Sequence, residues 1–323
     1  MPHLILIADI GGTSSRLALV GKDGVPADIR IHRNDDFAGF EALIEADIAA
    51  RPAGTRPAIG GAVLAVAGPV DGDGVKLTNR DWAFSKRVMR RHFGWQKLEA
   101  VNDFEALAYG VPALTADDLV PVGTGRAVPK GPMLICGPGT GFGVAGLLTI
   151  GRRTQAITGE GGRMRLGAVN SEEARLLAHL VRDLGTPVVE HALSGSGLAR
   201  IHYIFSGEKL SPEEVIAAAT RHDAEALETC RIFLRLFGRI AGDLALAINA
   251  RGGVFLAGGV SAALEPFFAG SDFREMFEDH PPHQPRLAAM PIHIITHATP
   301  GLIGCGQIAA RLATGLKPGL HLV

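Results

Sequence analysis

Asn102 and Asp103 stand where a short apolar run, Leu98 to Val101, gives way to a segment of helical periodicity beginning at Phe104. A carboxylate at the carboxyl end of a strand, within about 2.6–3.2 Å of a hydroxyl, accepts its proton as the oxygen attacks, a contribution of roughly 10²–10⁴-fold. The same residues also suit a structural role: Asn102 with Glu105 has capping-box spacing, and Asp103 favours the positive end of a helix. Three other polar residues carry a similar ambiguity. Glu160, in Gly159-Glu160-Gly161-Gly162, is either open to the hydroxyls of a ligand or a solvated turn acid. Glu190 precedes an apolar-periodic stretch starting near His191, where an acid is ordinarily a dipole or capping partner. Asn79, in Thr78-Asn79-Arg80-Asp81-Trp82, is a hydroxyl partner beside an aromatic anchor or only a turn former.

Glycine turns supply a second chemistry. Asp9-Ile10-Gly11-Gly12-Thr13 lies between two strand-like runs, where glycines let backbone N–H groups approach a phosphate, Thr13 adds a hydroxyl and Asp9 can hold Mg²⁺ through water. The plain alternative is a hairpin turn, which Gly-Gly favours. The segment is neither a P-loop nor a dinucleotide fingerprint, since it lacks G-x-x-x-x-G-K-[ST] and G-x-G-x-x-G. Gly137-Pro138-Gly139-Thr140-Gly141 repeats the pattern in the second half, and two such turns, one from each half, suit the two ends of a triphosphate facing each other across a cleft. Gly258-Gly259 follows a third apolar run and is either a ligand turn at a strand end or a tight strand-to-helix connection.

The elements that must position these groups follow from periodicity. Leu4 to Ala8 and Leu17 to Val20 read as a hairpin and Asp28 to His32 as a third strand, followed by a helix carrying Phe37, Phe40, Leu43, Ile44 and Ile48. Ala62 to Ala67 and Leu98 to Val101 read as strands, with a basic helix at Lys86 to Phe93. The second half restarts in the same manner with apolar Met133 to Cys136, a turn over Gly137 to Gly143, and apolar Val144 to Ile150. Helices are expected at Glu172 to Asp183, His191 to Phe205, Pro212 to Ala219, Ala224 to Ala250 and Leu302 to Leu312. Strands are expected at Gly253 to Ala257 and Ile292 to Ile295, and a loop at Gly123 to Pro132. The pattern predicts two mixed α/β lobes related by duplication.

Composition narrows the function classes. A chain of 323 residues suits two lobes. With 32 Lys plus Arg against 33 Asp plus Glu, no strong field collects nucleic acid or an anionic membrane, so a small molecule is the expected partner. Cys136, Cys230 and Cys305 lie far apart, which argues against structural zinc and disulfides and for a reducing cytoplasm. The opening MPHLILIAD does not read as a signal peptide, and no apolar run is long enough to span a bilayer.

Taken in order, ADIGGTSSRLAL, VAGPV, LTNRDWAFS, VNDFEALAYG, GPGTGFGVA, GEGG, the acid of VVEHALSGSGL, FLAGGV and PGLIGCG resemble the bacterial glucokinase family. That family belongs to the group of hexokinase, actin and heat-shock ATPases. The resemblance implies a two-lobed actin-like ATPase (ribonuclease-H-like) fold with duplicated mixed sheets and flanking helices. The small N-terminal lobe would comprise residues 1–110 joined by a C-terminal helix in 301–323, and the large lobe residues 111–300. It implies ATP-dependent phosphorylation of the 6-hydroxyl of a hexose, glucose first, with Mg²⁺, in a cytoplasmic homodimer. Ala8, Asp9, Ile10, Gly11, Gly12 and Thr13, with Gly139, Thr140 and Gly141, would hold the ATP phosphates, and Gly258 and Gly259 would lie near the adenosine. Asn79, Asn102, Asp103, Glu160 and Glu190 would contact the sugar, with Asp103 as the base. Phosphoryl transfer rests chiefly on positioning and charge neutralisation, which suits a site of turns and acids without a covalent nucleophile.

One position departs from the pattern. Where the family has GEGGH, this chain has GEGGR, so Arg163 replaces the histidine expected to contact sugar. A guanidinium has no acceptor and cannot reproduce both roles of an imidazole. Arg163 either turns outward with Arg165 or reshapes the pocket for another hexose or an anionic sugar. A catalytically silent sugar or nucleotide sensor is the reading from a different class. No Cys-rich motif follows Gly162, unlike in the zinc-containing repressor and sugar-kinase group.

Overall fold

The computed structural model describes residues 4–53, 58–70, 72–78, 80–151 and 153–313. The chain divides into two compact units, one of Met1–Leu114, Arg153–Ala156 and His297–Val323 and the other of Thr115–Arg152 and Ile157–Thr296.

The first unit holds a five-stranded sheet in the order β3-β2-β1-β4-β7, built from β1 (Leu4–Ile10), β2 (Ser14–Val20), β3 (Pro26–Arg33), β4 (Ile59–Val66) and β7 (Lys97–Asn102). β1, β2 and β3 run antiparallel in succession, whereas β4 pairs parallel with β1 and β7 parallel with β4. Placement follows composition. β4 reads IGGAVLAV and is buried almost throughout, as a central parallel strand covered on both faces must be, while β3 reads PADIRIHR and is mostly exposed or half-exposed at the edge. The core of this sheet gathers Leu6, Ile10, Phe40, Leu64 and Trp82. A small hairpin of β5 (Gly74–Lys76) and β6 (Ala83–Ser85) was not apparent in the sequence, because three-residue strands carry too little periodicity to register.

A six-stranded sheet, in the second unit except for the first four residues of β11, has the order β11-β10-β9-β12-β13-β8 and is built from β8 (Leu119–Pro121), β9 (Met133–Pro138), β10 (Phe142–Ile150), β11 (Arg153–Gly159), β12 (Gly253–Leu256) and β13 (Ile292–Ile295). Leaving β8 aside, its order repeats that of the first sheet: an antiparallel edge feeds a central strand that two parallel strands follow. The restart at Met133 is therefore a duplication of topology. β8 and β11 were missed by sequence reading.

Helix ends obey local chemistry. The basic helix Lys86–Phe93 starts at Ser85, whose hydroxyl accepts the Val88 N–H at 3.1 Å, carries Arg90, Arg91 and His92 in its last turn, and stops at left-handed Gly94. The long helix Ala224–Ile248 ends two residues short of the expected Ala250 because Asn249 takes φ 57°. The helix expected over His191 to Phe205 is interrupted. A short helix, Val189–Ala192, precedes Gly195–Ser206, and Ser194 caps the second by accepting the Gly197 N–H at 3.0 Å. Gly137, Pro138, Phe142 and Gly143 belong to strands, which narrows the expected second turn to residues 139–141.

Among the described residues no helix is long and apolar enough to cross a membrane, and no group of three or more His, Cys, Asp or Glu is placed to hold a metal ion. The three cysteines are free and buried, and burial pushes their thiols up, away from reactive thiolate.

Inside the first unit, the helix Pro300–Ala313 crosses the helix Asp103–Gly110 at glycine. A Cβ on Gly304 would lie 1.8 Å from the Ala106 carbonyl oxygen, and one on Gly110 3.0 Å from the Gly304 nitrogen. Gly304→Ala is therefore expected to force the helices apart and destabilise the chain by about 1–3 kcal/mol, read as a lower midpoint in urea unfolding. An unchanged midpoint would mean that the crossing is looser than described.

Candidate active site

β1 delivers Asp9 and Ile10 to the turn Gly11–Thr13. Ala8 and Ile10 are core residues, and the Cys305 thiol donates to the Ala8 carbonyl at 3.5 Å. Asp9 stands opposite Arg16 in the β1–β2 register; burial raises its carboxyl pKa and the Arg16 charge partly opposes this. A Cβ on Gly301 would come within 2.6 Å of Asp9 Oδ2, so the first turn of the helix Pro300–Ala313 approaches the carboxylate as only glycine permits. The turn itself is tied down through its carbonyls. The Gly11 carbonyl accepts from Asn34 Nδ2 at 2.8 Å, that of Gly12 from Arg80 Nε at 3.1 Å, and that of Thr13 from the Asn34 N–H at 3.0 Å. Asn34 is buried and also accepts the Ser15 hydroxyl at 2.6 Å, while Arg80 pairs with Asp35 and stacks over Trp82 at 5.1 Å. Gly11 does not adopt a left-handed φ, so the connection is not the primed hairpin turn that a Gly-Gly pair favours. Thr13 is exposed at the tip.

Asn102 ends β7, and its Oδ1 accepts the Phe104 N–H at 2.9 Å and the Glu105 N–H at 3.4 Å, which makes it the N-cap of the helix Asp103–Gly110. Its Nδ2 donates to the Gly68 carbonyl at 3.4 Å. Asp103 is thus the first residue of a helix that another residue already caps; its Oδ1 also accepts the Phe104 N–H at 2.9 Å. Asn79 lies outside the described residues. Its neighbour Arg80, which braces the first glycine turn, was not singled out from sequence, and nothing in local periodicity marks it.

In the second unit the glycine turns, the GEGGR segment and Glu190 come together. Glu190 sits inside the short helix Val189–Ala192, not ahead of a helix as the sequence suggested. Its Oε2 accepts the Phe142 N–H at 3.3 Å, and its Oε1 lies 3.3 Å from Arg163 Nη1. A Cβ on Gly141 would meet Glu190 Oε2 at 2.5 Å, and one on Gly162 the Phe142 carbonyl oxygen at 2.6 Å. Glycine at 141 is what admits the carboxylate, and glycine at 162 is what lets the GEGGR segment lie against the Phe142 carbonyl. Arg163 does not simply turn outward: it is 61% exposed yet faces Glu190, itself 34% exposed. Glu160 is exposed, and its carbonyl accepts the Arg163 N–H at 2.9 Å.

The third turn packs against the second. β9 and β12 are parallel neighbours, so Gly139–Gly141 and Gly258–Gly259 leave the same end of the sheet. Gly258, at φ 92°, precedes the helix Gly259–Ala263, and a Cβ there would lie 2.3 Å from the Pro138 carbonyl oxygen. The Gly139 N–H donates to the Gly141 carbonyl at 2.8 Å, while the Gly139 carbonyl accepts the Gly195 N–H at 2.9 Å. Thr140 is exposed. The helix Gly195–Ser206 therefore brings its N-terminus to the turn, a place suited to anions. Sequence reading overlooked Ser194 and Gly195, although Ser-Gly-Ser-Gly ahead of an apolar-periodic segment is a helix-start signal.

The glucokinase family model matches residues 6–312. The chain belongs to the glucokinase family. It is 38% identical to a glucokinase of Chelativorans sp. (strain BNC1) over 94% of this chain and 91% of that protein, and 36% identical to a glucokinase of Photorhabdus laumondii over 93% and 95%. The crystal structure of a glucokinase from an Antarctic psychrotroph superposes with a TM-score of 0.83 at 31% identity, covering 97% of this chain and 99% of that one. The chain is a hexose kinase, and its fold is the actin-like ATPase fold of such kinases.

Glu105, two residues beyond Asp103, makes this strand end sensitive to pH. Burial first and the Glu99 charge second raise its pKa from 4.5 to about 7, while the Asn102 backbone N–H pulls the other way. Between those values the folded chain holds a proton that the unfolded chain has lost, so stability falls as pH rises from about 4.5 to about 7 and stays lower above it. Glu105→Gln is expected to be more stable than the parent at pH 8, by up to about 3 kcal/mol, with the difference gone below pH 4.5. Urea unfolding at the two pH values checks this, and an equal difference at both would contradict it.

Proposed function

We propose that the chain transfers the γ-phosphoryl group of ATP to the 6-hydroxyl of a hexose, glucose first, and that Asp103 takes the proton of that hydroxyl. One observation carries the role of Asp103: it stands at the carboxyl end of β7 as the first residue of a helix whose N-cap is Asn102, with its Oδ1 held by the Phe104 N–H at 2.9 Å. Its station at a helix N-terminus favours the ionised form that a general base needs.

In this reading the first glycine turn, its carbonyls already engaged, offers the N–H groups of Gly12 and Thr13 with the Thr13 hydroxyl to phosphate oxygens. Gly139, Thr140 and Gly141 take the other end of the triphosphate, and Gly258 and Gly259 approach the adenosine. Asn79, Asn102, Glu160 and Glu190 orient the sugar by its hydroxyls. For Glu190 the support is rigidity, because the Phe142 N–H and the neighbouring glycines hold its carboxylate in one place before any ligand arrives.

The donor set suits Mg²⁺ carried on the nucleotide. No protein cage for a divalent ion exists among the described residues, whereas one carboxylate, Asp9, beside a phosphate turn is what a phosphate-bound Mg²⁺ with its waters requires. When bound, the ion neutralises phosphate charge. The same reading carries a cytoplasmic homodimer, which sedimentation would test.

A second substrate reading rests on Arg163. Its guanidinium occupies Glu190 Oε1, an acceptor that sugar hydroxyls would otherwise use, and this favours a hexose other than glucose. A panel of hexoses assayed for sugar-dependent ADP release decides between them, and nucleotide or sugar binding without any turnover would leave only the silent sensor. Asp103→Ala is expected to lower kcat about 10²–10⁴-fold with little change in sugar affinity. Wild-type turnover in that variant would remove Asp103 from the mechanism.

A further inference from the structure

Beside Glu190, within the second unit, lies a cavity of about 500 Å³ lined by Arg163, Arg165, Leu184, Thr186, Val188 and His191, for which phosphoryl transfer has no use. Two backbone segments frame it. The Leu166 N–H donates to the Pro187 carbonyl at 3.1 Å, the Val189 N–H to the Met164 carbonyl at 2.9 Å, and Arg165 pairs with Val188 in an antiparallel bridge. Arg163 and Arg165 flank Met164 in the chain, and both line the cavity.

The nearby carboxylates are already matched. Glu190 lies against Arg163 at 3.3 Å and Asp183 against Arg182 at 2.6 Å, whereas Arg165 has no carboxylate partner among the described residues. Arg200 donates to the His191 carbonyl, so Arg163, Arg165, Arg182 and Arg200 outnumber Asp183 and Glu190 here. Burial, then the charges of Arg200 and Arg163, hold the His191 pKa below its ordinary value, so the ring stays neutral at neutral pH. Its Nδ1 accepts the Val188 N–H at 3.4 Å, which leaves Nε2 to carry the proton as a donor. Two guanidiniums, a threonine hydroxyl and an imidazole N–H form a set of donors suited to the oxygens of a phosphate.

We propose that this cavity binds a phosphate group, as inorganic phosphate or as a sugar phosphate monoester, through Arg165, Thr186 and His191, and that capture of the anion draws Arg163 away from Glu190. Arg163 is exposed and its contact with Glu190 is single and long, so a dianion outcompetes it at small cost. The consequence for the sugar rests on the reading of Glu190 as a sugar ligand, and the anion site does not. Anion and hexose are then coupled through one side chain: with the cavity filled, Glu190 regains the acceptor that Arg163 had occupied.

Calorimetric titration of the whole chain, free of nucleotide and hexose, with inorganic phosphate and separately with glucose 6-phosphate tests the site. Both are expected to bind, Arg165→Ala to weaken both about tenfold or more, and Arg165→Lys to recover part of the loss. Glu190→Gln, which removes the competing carboxylate, is expected to strengthen inorganic phosphate binding about threefold. Glucose 6-phosphate binding tighter than inorganic phosphate, by a margin that Arg165→Ala removes, assigns the site to the monoester, and equal affinity assigns it to the free anion. Equal affinities in the parent and Arg165→Ala, or no binding by the parent, would overturn the site, and no effect of Glu190→Gln would overturn the coupling. Failure of the kinase reading would show separately, as absent sugar-dependent ADP release with phosphate binding intact.

Discussion

At Gly137 an added Cβ would lie 1.9 Å from the Ala257 carbonyl oxygen, and at Gly258 one would lie 2.3 Å from that of Pro138. These contacts join the ends of the parallel neighbours β9 and β12, so the spacing of the two turns that leave this sheet edge is set by backbone against backbone. A side chain at either position would push the turns apart and move the Gly139 carbonyl from the Gly195 N–H that it accepts. Gly141 extends the constraint to charge, since the missing Cβ is what lets Glu190 settle at the Phe142 N–H. Close approach comes first and the polar geometry follows from it.

The acids differ in how they are kept. Asp9 and Glu105 are pushed toward protonation chiefly by burial, whereas Glu190 is held by a backbone donor and a guanidinium. Desolvation disfavours charge, so for Asp9 and Glu105 the surroundings set a cost on ionising. Asp9 faces Arg16, whose charge relieves part of the cost of burying the carboxylate. Glu105 has no comparable relief, since its nearest named charge is Glu99, and it weakens the folded state at neutral pH.

Most of the framework was legible in the residues. The strands at Leu4, Ala62, Leu98 and Ile292 and the helix at Lys86 appear where period and capping residues place them, because each is long enough, or apolar enough, for local preference to agree with burial. Of the strands that escaped notice, Gly74–Lys76, Ala83–Ser85 and Leu119–Pro121 are three residues long and owe their form to pairing partners, whereas Arg153–Gly159 is a seven-residue edge strand, RTQAITG, with little apolar content. The break at Ser194 escaped because a capping serine inside an apolar-periodic stretch looks like an ordinary helical residue until its hydroxyl has a partner. Glycine turns and strand-end acids can be named as candidates by type and position. Arg80 and Asn34 cannot, since their role is to reach a turn distant in sequence.

Duplication explains why the two sheets share an order, and it also shows what each copy needed separately. Both glycine turns join the two strands of an antiparallel pair, yet the first is braced largely by side chains and the second by backbone. The side chains of Asn34 and Arg80 hold the carbonyls of Gly11 and Gly12, with the Asn34 N–H on that of Thr13, whereas the Gly139 carbonyl is met by the N–H of Gly195 at the start of a helix. A brace made of side chains can be retuned by single substitutions, but a backbone brace changes only if the helix moves. The first turn can therefore shift without disturbing the sheet, while the second carries a geometry that the close contacts at Gly137, Gly141 and Gly258 keep nearly invariant.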